Sequence, residues 1–319
     1  MTERGVFLDL ETVDRDDLDL NALRSTLSHW EMHPYTGSEE VGARIAGAQV
    51  VVSNKVVLDA AAIESAPDLR LICVAATGTN NVDLETARKR GVTVCNVRDY
   101  ATAAVSQHVF AMILALTTRL NAYQRDVAEG RWQESRQFCL LDHPIRELEG
   151  LTLGIIGYGA LGQGVARAAK AFGLNVAVAE SLVSPGRDKA RWPLERLLAE
   201  SDIISLHCPL TEQTHHLIDA DALEAMKSDA LLINTARGAI VDNAALATAL
   251  RQGIIGGAGI DVLEQEPPPP DHPLLARDIP NLILTPHIAW AAREARQRVI
   301  DQVAANIRAF IAGDPRNVV

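Results

Sequence analysis

Cysteine is scarce in this chain, and its placement indicates neither a disulfide framework nor a metal centre. The four cysteines among 319 residues are far apart and form no CxxC pair and no Cys/His ligand spacing. We therefore expect reduced, mostly buried thiols in a cytoplasmic protein. The four are Cys73, Cys95, Cys139 and Cys208.

Long apolar runs and an excess of positive charge are also missing. No run approaches the roughly 18 apolar residues of a membrane-spanning helix, and the start, MTERGVFLDLETVDRDDL, resembles neither a signal peptide nor a transit peptide. Asp and Glu number 41 against 30 Lys and Arg, and the formal charge of −11 opposes binding to phosphate backbones or anionic membranes. We expect neither nucleic acid nor a membrane as a partner.

What the chain does contain is the pattern of an α/β protein. Its 48% hydrophobic and 22% charged content is ordinary for a globular protein, and its length allows two modest domains or one large one. Ten apolar, β-branched runs alternate with helical stretches, which predicts parallel sheets covered on both faces. Ten strands are too many for one compact sheet. The predicted strands are 6–10, 49–53, 71–75, 92–96, 151–156, 175–179, 202–207, 230–234, 257–261 and 282–285.

A natural division lies near residues 97–120, where a loop precedes a long, apolar helix that we expect to be largely buried. The next segment, 121–147, is less regular, with aromatic and apolar side chains among charges. It is either an arm over a partner subunit or a surface loop packed on its own domain, and the sequence favours neither.

Three predicted strands end at or just before a polar residue with catalytic chemistry: Arg237 in LLINTARG, Glu266 in AGIDVLEQEP and His287 in LILTPHIAW. Ligands bind outside the carboxyl ends of parallel strands, so the three side chains can converge on one crevice. Arginine can bind a substrate carboxylate, histidine can transfer a proton near neutral pH, and a neighbouring carboxylate favours protonated histidine. Each residue alone is as easily explained as a surface group, and Glu264 competes with Glu266.

A glycine-rich turn follows the strand 151–156 and precedes a helix. In this turn Gly157 permits the tight bend, Gly159 lets the backbone approach a pyrophosphate, and Gly162 lets the helix pack on the strand. The next strand ends at Glu180, 18 residues after Gly162, close to the acidic position that binds the adenosine ribose. A carboxylate there repels a 2′-phosphate, which favours NAD over NADP.

Some residues around this turn allow competing interpretations. Arg187, Lys189 and Arg191 could bind a 2′-phosphate. Pro209, after the strand 202–207, either offers a flat contact to adenine or simply forms a turn. His215 and His216 invite a metal hypothesis, but no second ligand cluster completes it, so we expect surface histidines and no metal site.

The motifs are together specific enough to indicate a family. The chain resembles the D-2-hydroxyacid dehydrogenases along nearly its whole length, and most closely their glycerate dehydrogenase/hydroxypyruvate reductase branch. The matching motifs are TGTNNVD at 77–83, GIIGYGALGQG at 154–164, HCPLT at 207–211, NTARG at 234–238, DVLEQEP at 261–267 and TPHIAW at 285–290.

The resemblance implies two doubly wound parallel-sheet domains with an active-site cleft between them. Residues 1–98 and 286–319 would form a flavodoxin-like substrate-binding domain, and residues 99–285 a Rossmann domain for NAD. His287 would then stand at the crossing back to the substrate domain, so that closure of the cleft would assemble the site. The resemblance also implies a homodimer.

The resemblance assigns roles to individual residues. Arg237 would bind the substrate carboxylate, His287 would be the acid/base, Glu266 would pair with His287, and the backbone amides of Thr77 and Gly78 would take the other side of the carboxylate. The implied cofactor-binding residues are Gly157, Gly159, Ala160, Leu161, Gly162, Glu180, His207, Cys208, Pro209, Thr235, Ala236 and, for the nicotinamide carboxamide, Asp261. Gln107 departs from the Glu that is common in the family.

Glycerate dehydrogenase or hydroxypyruvate reductase is the predicted activity, because a neutral C3 group needs no cationic cluster. Asn54 and Lys55 are the nearby candidates for further substrate contacts, although Lys55 is better explained as a solvated loop residue. Trp290 either lines the pocket or packs in the core. The alternative is a related dehydrogenase acting on glyoxylate, D-lactate or 3-phosphoglycerate. An NADH-sensing, corepressor-like binding protein is less favoured, because the three polar strand ends are intact and the tails are short.

Overall fold

The computed structural model describes residues 4–182, 188 and 190–319. The chain forms two compact units, Met1–Ala101 with Ala291–Val319 (unit 1) and Thr102–Trp290 (unit 2). Each unit contains its own parallel sheet with helices packed against it. The two-sheet α/β prediction is therefore confirmed.

Unit 1 is built on five parallel strands in the order β2-β1-β3-β4-β5, which is the flavodoxin-like order. The strands are β1 (Arg4–Phe7), β2 (His29–Met32), β3 (Val50–Ser53), β4 (Leu71–Val74) and β5 (Thr93–Cys95). The helices are α1 (Asn21–Arg24), α2 (Val41–Ile45), α3 (Ala60–Ser65), α4 (Leu84–Lys89) and, at the C-terminus, α11 (Arg293–Ile311).

Both faces of this sheet are buried, which explains why its central strands are continuous apolar runs. Alternate residues of a strand point to opposite faces. Val50 and Val52 of β3 therefore join one core with Val299 and Val303 of α11, while Val51 joins a second core on the opposite face.

β2 is the strand that the sequence did not predict. Its residues, HWEM, lie at the edge of the sheet, pair only with β1 and are half-buried or exposed. An edge strand of this kind needs no apolar run, so it leaves no hydrophobic signal. The ten predicted strands each overlap an observed one.

Unit 2 is built on six parallel strands in the order β11-β10-β9-β8-β6-β7. An isolated parallel bridge between Ala179 and Trp192 lies beside β7. With this bridge, the strands from β7 to β10 match the dinucleotide-binding order 3-2-1-4-5-6, and β11 is added beyond β10. The strand order reverses between β6 and β8, where such sheets bind their ligands. The strands are β6 (Thr152–Ile156), β7 (Asn175–Val178), β8 (Ile203–Leu206), β9 (Leu231–Asn234), β10 (Gly257–Ile260) and β11 (Leu282–Leu284).

The long apolar helix predicted after residue 97 is α5, and most of its apolar side chains are buried. It packs closely on α7 at Gly164, where a β-carbon would lie 2.6 Å from Thr102 Cγ2. No single helix of the described residues is long and apolar enough to cross a membrane, and only α5 and α6 together, bent by 60°, meet that criterion. The helices of unit 2 are α5 (Thr102–Thr117), α6 (Leu120–Ala128), α7 (Ala160–Ala171), α8 (Leu194–Glu200), α9 (Ala220–Glu224) and α10 (Asn243–Gln252).

The borders between the units differ from the expected ones. They fall after Ala101 and after Trp290, instead of after residues 98 and 285. The second shift matters more, because it moves His287 into unit 2 together with Arg237 and Glu266. The cause is that the chain after β11 stays hydrogen-bonded to the end of β10 as far as Ala289.

Candidate active site

The glycine turn after β6 fits a dinucleotide. Gly157 has φ 93°, and a β-carbon there would lie 2.4 Å from the backbone nitrogen of Cys208, so the turn needs glycine for both reasons. A β-carbon on Gly162 would lie 2.2 Å from the carbonyl oxygen of Gly157. Gly159, by contrast, has nothing within 4 Å of that position, so backbone is open to a ligand where α7 begins. The amides of Ala160 and Leu161, in the first turn of α7, suit a pyrophosphate there.

The acidic residue Glu180 lies shortly after the end of β7. The backbone N–H of Glu180 donates to Trp192 (2.8 Å), and its side chain is half-buried. The Arg191 guanidinium lies 6.0 Å from the centre of the Tyr158 ring, within the glycine turn, and 3.5 Å from the Asp188 carboxylate. Arg187 and Lys189 lie outside the described residues.

The segment after β8 supports the turn from the neighbouring strand. His207 Nε2 lies 2.8 Å from Ser205 Oγ, and burial lowers the pKa of His207 to about 4, so the ring is neutral near pH 7. Burial also raises the pKa of the Cys208 thiol to about 11, which keeps it protonated. Pro209 is exposed, and its carbonyl accepts a hydrogen bond from Thr214 Oγ1 (2.7 Å). This geometry is compatible both with a flat contact to adenine and with a simple turn.

His287 and Glu266 form the contact on which proton transfer would depend. His287 Nδ1 lies 2.6 Å from Glu266 Oε2, and Glu266 Oε1 accepts from the backbone N–H of Leu263 (2.9 Å). With Nδ1 engaged, Nε2 is the ring nitrogen that can exchange a proton with a substrate. Glu264 instead contacts His216 at 3.1 Å, so the structure separates the two competing carboxylates.

Asp261 fixes the loop that carries His287. Its side chain is fully buried and accepts hydrogen bonds from Thr285 Oγ1 (2.5 Å), the Ile288 amide (2.9 Å) and the Ala289 amide (2.8 Å). The His287 amide donates to the Asp261 carbonyl (2.7 Å), and His287 has φ 54°. The role of Asp261 toward the nicotinamide remains a prediction.

Arg237 follows β9 in a turn that another side chain shapes. Asn234 Oδ1 accepts from the Ala236 amide (3.0 Å), and Asn234 Nδ2 donates to the Arg237 carbonyl (2.9 Å). Thr235 and Ala236 are buried, while Arg237 is exposed and its Nη1 donates to the Ala236 carbonyl (2.7 Å). In the described part of the chain Arg237 forms no ion pair, so its charge remains available to an anion. We did not identify Asn234 from the sequence, although a polar residue ending a buried strand was a usable signal.

A close backbone contact joins the Arg237 turn to the segment that leads to Glu266. A β-carbon on Gly238 would lie 1.9 Å from the carbonyl carbon of Leu263, so only glycine permits this approach. Arg237, Glu266 and His287 follow β9, β10 and β11, at the carboxyl edge of the unit 2 sheet.

The remaining candidates have structural partners of their own. Thr77 and Gly78 follow β4 in unit 1, where Thr77 Oγ1 donates to the Val97 carbonyl (2.9 Å). Asn54 is buried and its Nδ2 donates to Thr12 (2.9 Å), and the Lys55 amide donates to Asp9 (2.6 Å). In unit 2, the indole N–H of Trp290 donates to the His287 carbonyl (3.1 Å) and so braces the same loop.

The neutral, half-buried ring of His207 predicts a pH dependence of stability. The pKa of His207 falls from 6.5 to about 4 on folding, so the unfolded chain takes up a proton between these values that the folded chain does not. Its contribution is fully present above pH 6.5 and is lost as the pH falls toward 4. Between pH 7 and pH 5 we expect a loss of about 2 kcal/mol in the free energy of unfolding from this residue.

Chemical denaturation at pH 7 and pH 5 gives the change in the free energy of unfolding for the wild type and for His207→Gln. The difference between these two changes is the contribution of His207. His215→Gln, which changes an exposed histidine, should behave like the wild type. Equal pH dependence in wild type and His207→Gln would contradict the assignment.

Comparison with known proteins agrees with this geometry. The family model described as "D-isomer specific 2-hydroxyacid dehydrogenase, NAD binding domain" matches residues 110–289. The chain is 45% identical to a glycerate dehydrogenase of Methylorubrum extorquens, over 100% of this chain and 99% of that one. It is 36% identical to a hydroxypyruvate reductase of Blautia hydrogenotrophica, over 98% of each.

A solved structure gives the same result. An NADPH-dependent glyoxylate/hydroxypyruvate reductase of Sinorhizobium meliloti, in complex with NADP and malonate, superposes with a TM-score of 0.82 at 28% identity, covering 100% of this chain and 97% of that one. The chain thus belongs to the D-isomer-specific 2-hydroxyacid dehydrogenases and contains their NAD-binding domain.

Proposed function

We propose that this chain is an NAD-dependent glycerate dehydrogenase/hydroxypyruvate reductase, which interconverts hydroxypyruvate and D-glycerate. The observation that carries the proposal is the 2.6 Å contact between His287 and Glu266. The same unit holds a glycine turn that fits a dinucleotide and the exposed Arg237, which forms no ion pair among the described residues. The names of the similar proteins from Methylorubrum and Blautia support the choice of substrate.

Each polar residue then has one task in the reaction. Arg237 binds the substrate carboxylate. NAD, when bound, supplies or accepts the hydride at C2. His287 Nε2 gives a proton to the C2 oxygen in reduction and takes it back in oxidation, while Glu266 orients the ring through its contact with Nδ1.

Glyoxylate is the main competing substrate, since similar proteins from several archaea are named glyoxylate reductases, such as that of Korarchaeum cryptofilum at 42% identity. Reduction of pyruvate to D-lactate, or of 3-phosphohydroxypyruvate, is the weaker alternative. The corepressor-like alternative does not require a His–Glu pair, so the close contact between these two side chains favours an enzyme.

A substrate panel with active-site variants tests the proposal. We expect NADH oxidation with hydroxypyruvate to exceed that with glyoxylate, pyruvate or 3-phosphohydroxypyruvate. His287→Asn should lower kcat by about a hundredfold or more, because the proton donor is lost, and Glu266→Gln should cause a smaller loss. The measurements are kcat and KM for each substrate, with NADH binding followed separately.

The chain offers a matched control, since His216 and Glu264 form a similar pair that has no proposed role. His216→Asn and Glu264→Gln should keep kcat within about twofold of the wild type. No turnover with any of the four acids would refute the enzyme proposal. An unchanged kcat in His287→Asn would refute the proton role alone.

We also propose a preference for NADH over NADPH, supported by the carboxylate of Glu180 at the end of β7. Like charge opposes a 2′-phosphate there. Glu180→Ala should therefore lower the preference for NADH, measured as kcat/KM with NADH divided by kcat/KM with NADPH, by roughly tenfold. Glu195→Ala, on an exposed turn of α8, is the control and should leave the ratio unchanged. A wild type that prefers NADPH would rule out this role for Glu180.

A homodimer is the proposed assembly, and residues 121–147 are its proposed contact. The segment folds on itself, because Asp126 contacts both His143 (2.8 Å) and Arg131 (2.7 Å). Yet Phe138 is 91% exposed and Leu141 is 76% exposed. Apolar surface of this kind favours the arm interpretation over a loop packed on its own domain.

Light scattering after size-exclusion chromatography tests the assembly. We expect about twice the chain mass of 34.4 kDa for the wild type. Phe138→Asp combined with Leu141→Asp should yield the mass of one chain, since charge in an apolar contact is costly. Val57→Asp, at an exposed apolar position of unit 1, should leave the mass unchanged. A double variant that still has the dimer mass would exclude the segment as the contact.

A cytoplasmic location, with no nucleic acid or membrane partner, completes the proposal. It is supported by the four cysteines, which are all free thiols and of which three are buried, and by the formal charge of −11.

A further inference from the structure

His108 contacts the end of the sheet from which His287 extends. It lies in α5, and its side chain is 19% exposed. Its Nε2 lies 3.0 Å from Thr285 Oγ1 and 3.5 Å from Asp261 Oδ1. Among the described residues His108 is the one basic side chain within ion-pair distance of the Asp261 carboxylate. His108 and Thr285 are 177 residues apart in the sequence.

The directions of these hydrogen bonds follow from the chemistry of the groups. Both oxygens of Asp261 accept from backbone amides, and Oδ1 also accepts from the Thr285 hydroxyl. The single hydroxyl proton of Thr285 is therefore donated to Asp261, at 2.5 Å. The Thr285 oxygen must then accept at its other contact, so His108 donates from Nε2. The result is one directed chain, His108 to Thr285 to Asp261.

This chain ends on the group that holds the His287 loop. Asp261 binds the amides of Ile288 and Ala289 through its side chain and that of His287 through its carbonyl. His287 itself has φ 54°, a left-handed conformation that persists in residues with a β-carbon only where surrounding contacts enforce it. A change in the orientation of the Asp261 carboxylate would therefore move His287 relative to Glu266.

We propose that His108 is a positioning residue for the dehydrogenase reaction, which orients Thr285 onto Asp261 and so keeps His287 in contact with Glu266. The inference rests on the proton role proposed for His287. It assigns His108 no contact with substrate or cofactor.

The test compares variants that remove or retain each hydrogen bond. His108→Leu removes the donor and His108→Gln retains one at a similar reach. Thr285→Val removes the hydroxyl and Thr285→Ser retains it. For each variant, kcat and KM for hydroxypyruvate and the Kd for NADH are measured, and the pair His108→Leu and Thr285→Val is also combined.

We expect His108→Leu and Thr285→Val each to lower kcat by about tenfold or more, while KM and the Kd for NADH change by less than about threefold. His108→Gln and Thr285→Ser should recover kcat to within about threefold of the wild type. The combined variant should be no slower than Thr285→Val, because both changes interrupt the same chain. Gln107→Leu, at an exposed neighbouring position of α5, is the control and should leave kcat unchanged.

An unchanged kcat in His108→Leu would overturn the proposal, as would effects of His108→Leu and Thr285→Val that multiply in the combined variant. If His108→Leu does not fold, as judged by circular dichroism, the Thr285→Val and Thr285→Ser pair decides, and equal kcat values in these two would overturn it. His287→Asn distinguishes failure of the proposed function from failure of the positioning role. If His287→Asn loses activity while His108→Leu keeps full activity, only the positioning role is contradicted.

Discussion

The active end of unit 2 depends on one buried carboxylate, that of Asp261. A charged group removed from water is tolerated only where hydrogen bonds replace its hydration. Here they come from the Thr285 hydroxyl and from two amides of the loop that follows β11. The loop is therefore bound to the end of β10, and His287 is kept beside Glu266. The His–Glu contact thus depends on a residue that takes no part in it.

Close backbone approach at two glycines is the second constraint on this edge of the sheet. Gly157 lets the turn after β6 touch the backbone that follows β8, and Gly238 lets the turn after β9 touch the chain that follows β10. A β-carbon at either position would overlap backbone, which cannot move aside as a flexible side chain can. The first contact shapes the dinucleotide turn, and the second sets Arg237 beside the segment that leads to Glu266.

Local patterns in the sequence were enough to predict most of the architecture. Buried parallel strands are continuous apolar runs, so ten of the eleven strands among the described residues were predicted, while the half-exposed edge strand β2 was not. Asn234, Thr285 and His108 were missed as parts of the site. Asn234 acts on the turn next to it, but His108 and Thr285 act on partners that only the fold brings near.

Sequence patterns were enough to identify the family, the two-sheet α/β class, the dinucleotide turn and the polar residues at the strand ends, because each is encoded in spacing and hydrophobicity over a few residues. Two outcomes are visible only in the tertiary structure: the carboxylate that contacts His287 is that of Glu266, as the resemblance implied, and the loop of His287 belongs to unit 2. Both outcomes depend on the direction in which a side chain leaves a turn and on hydrogen bonds between distant segments. Periodicity along the chain carries no information about either.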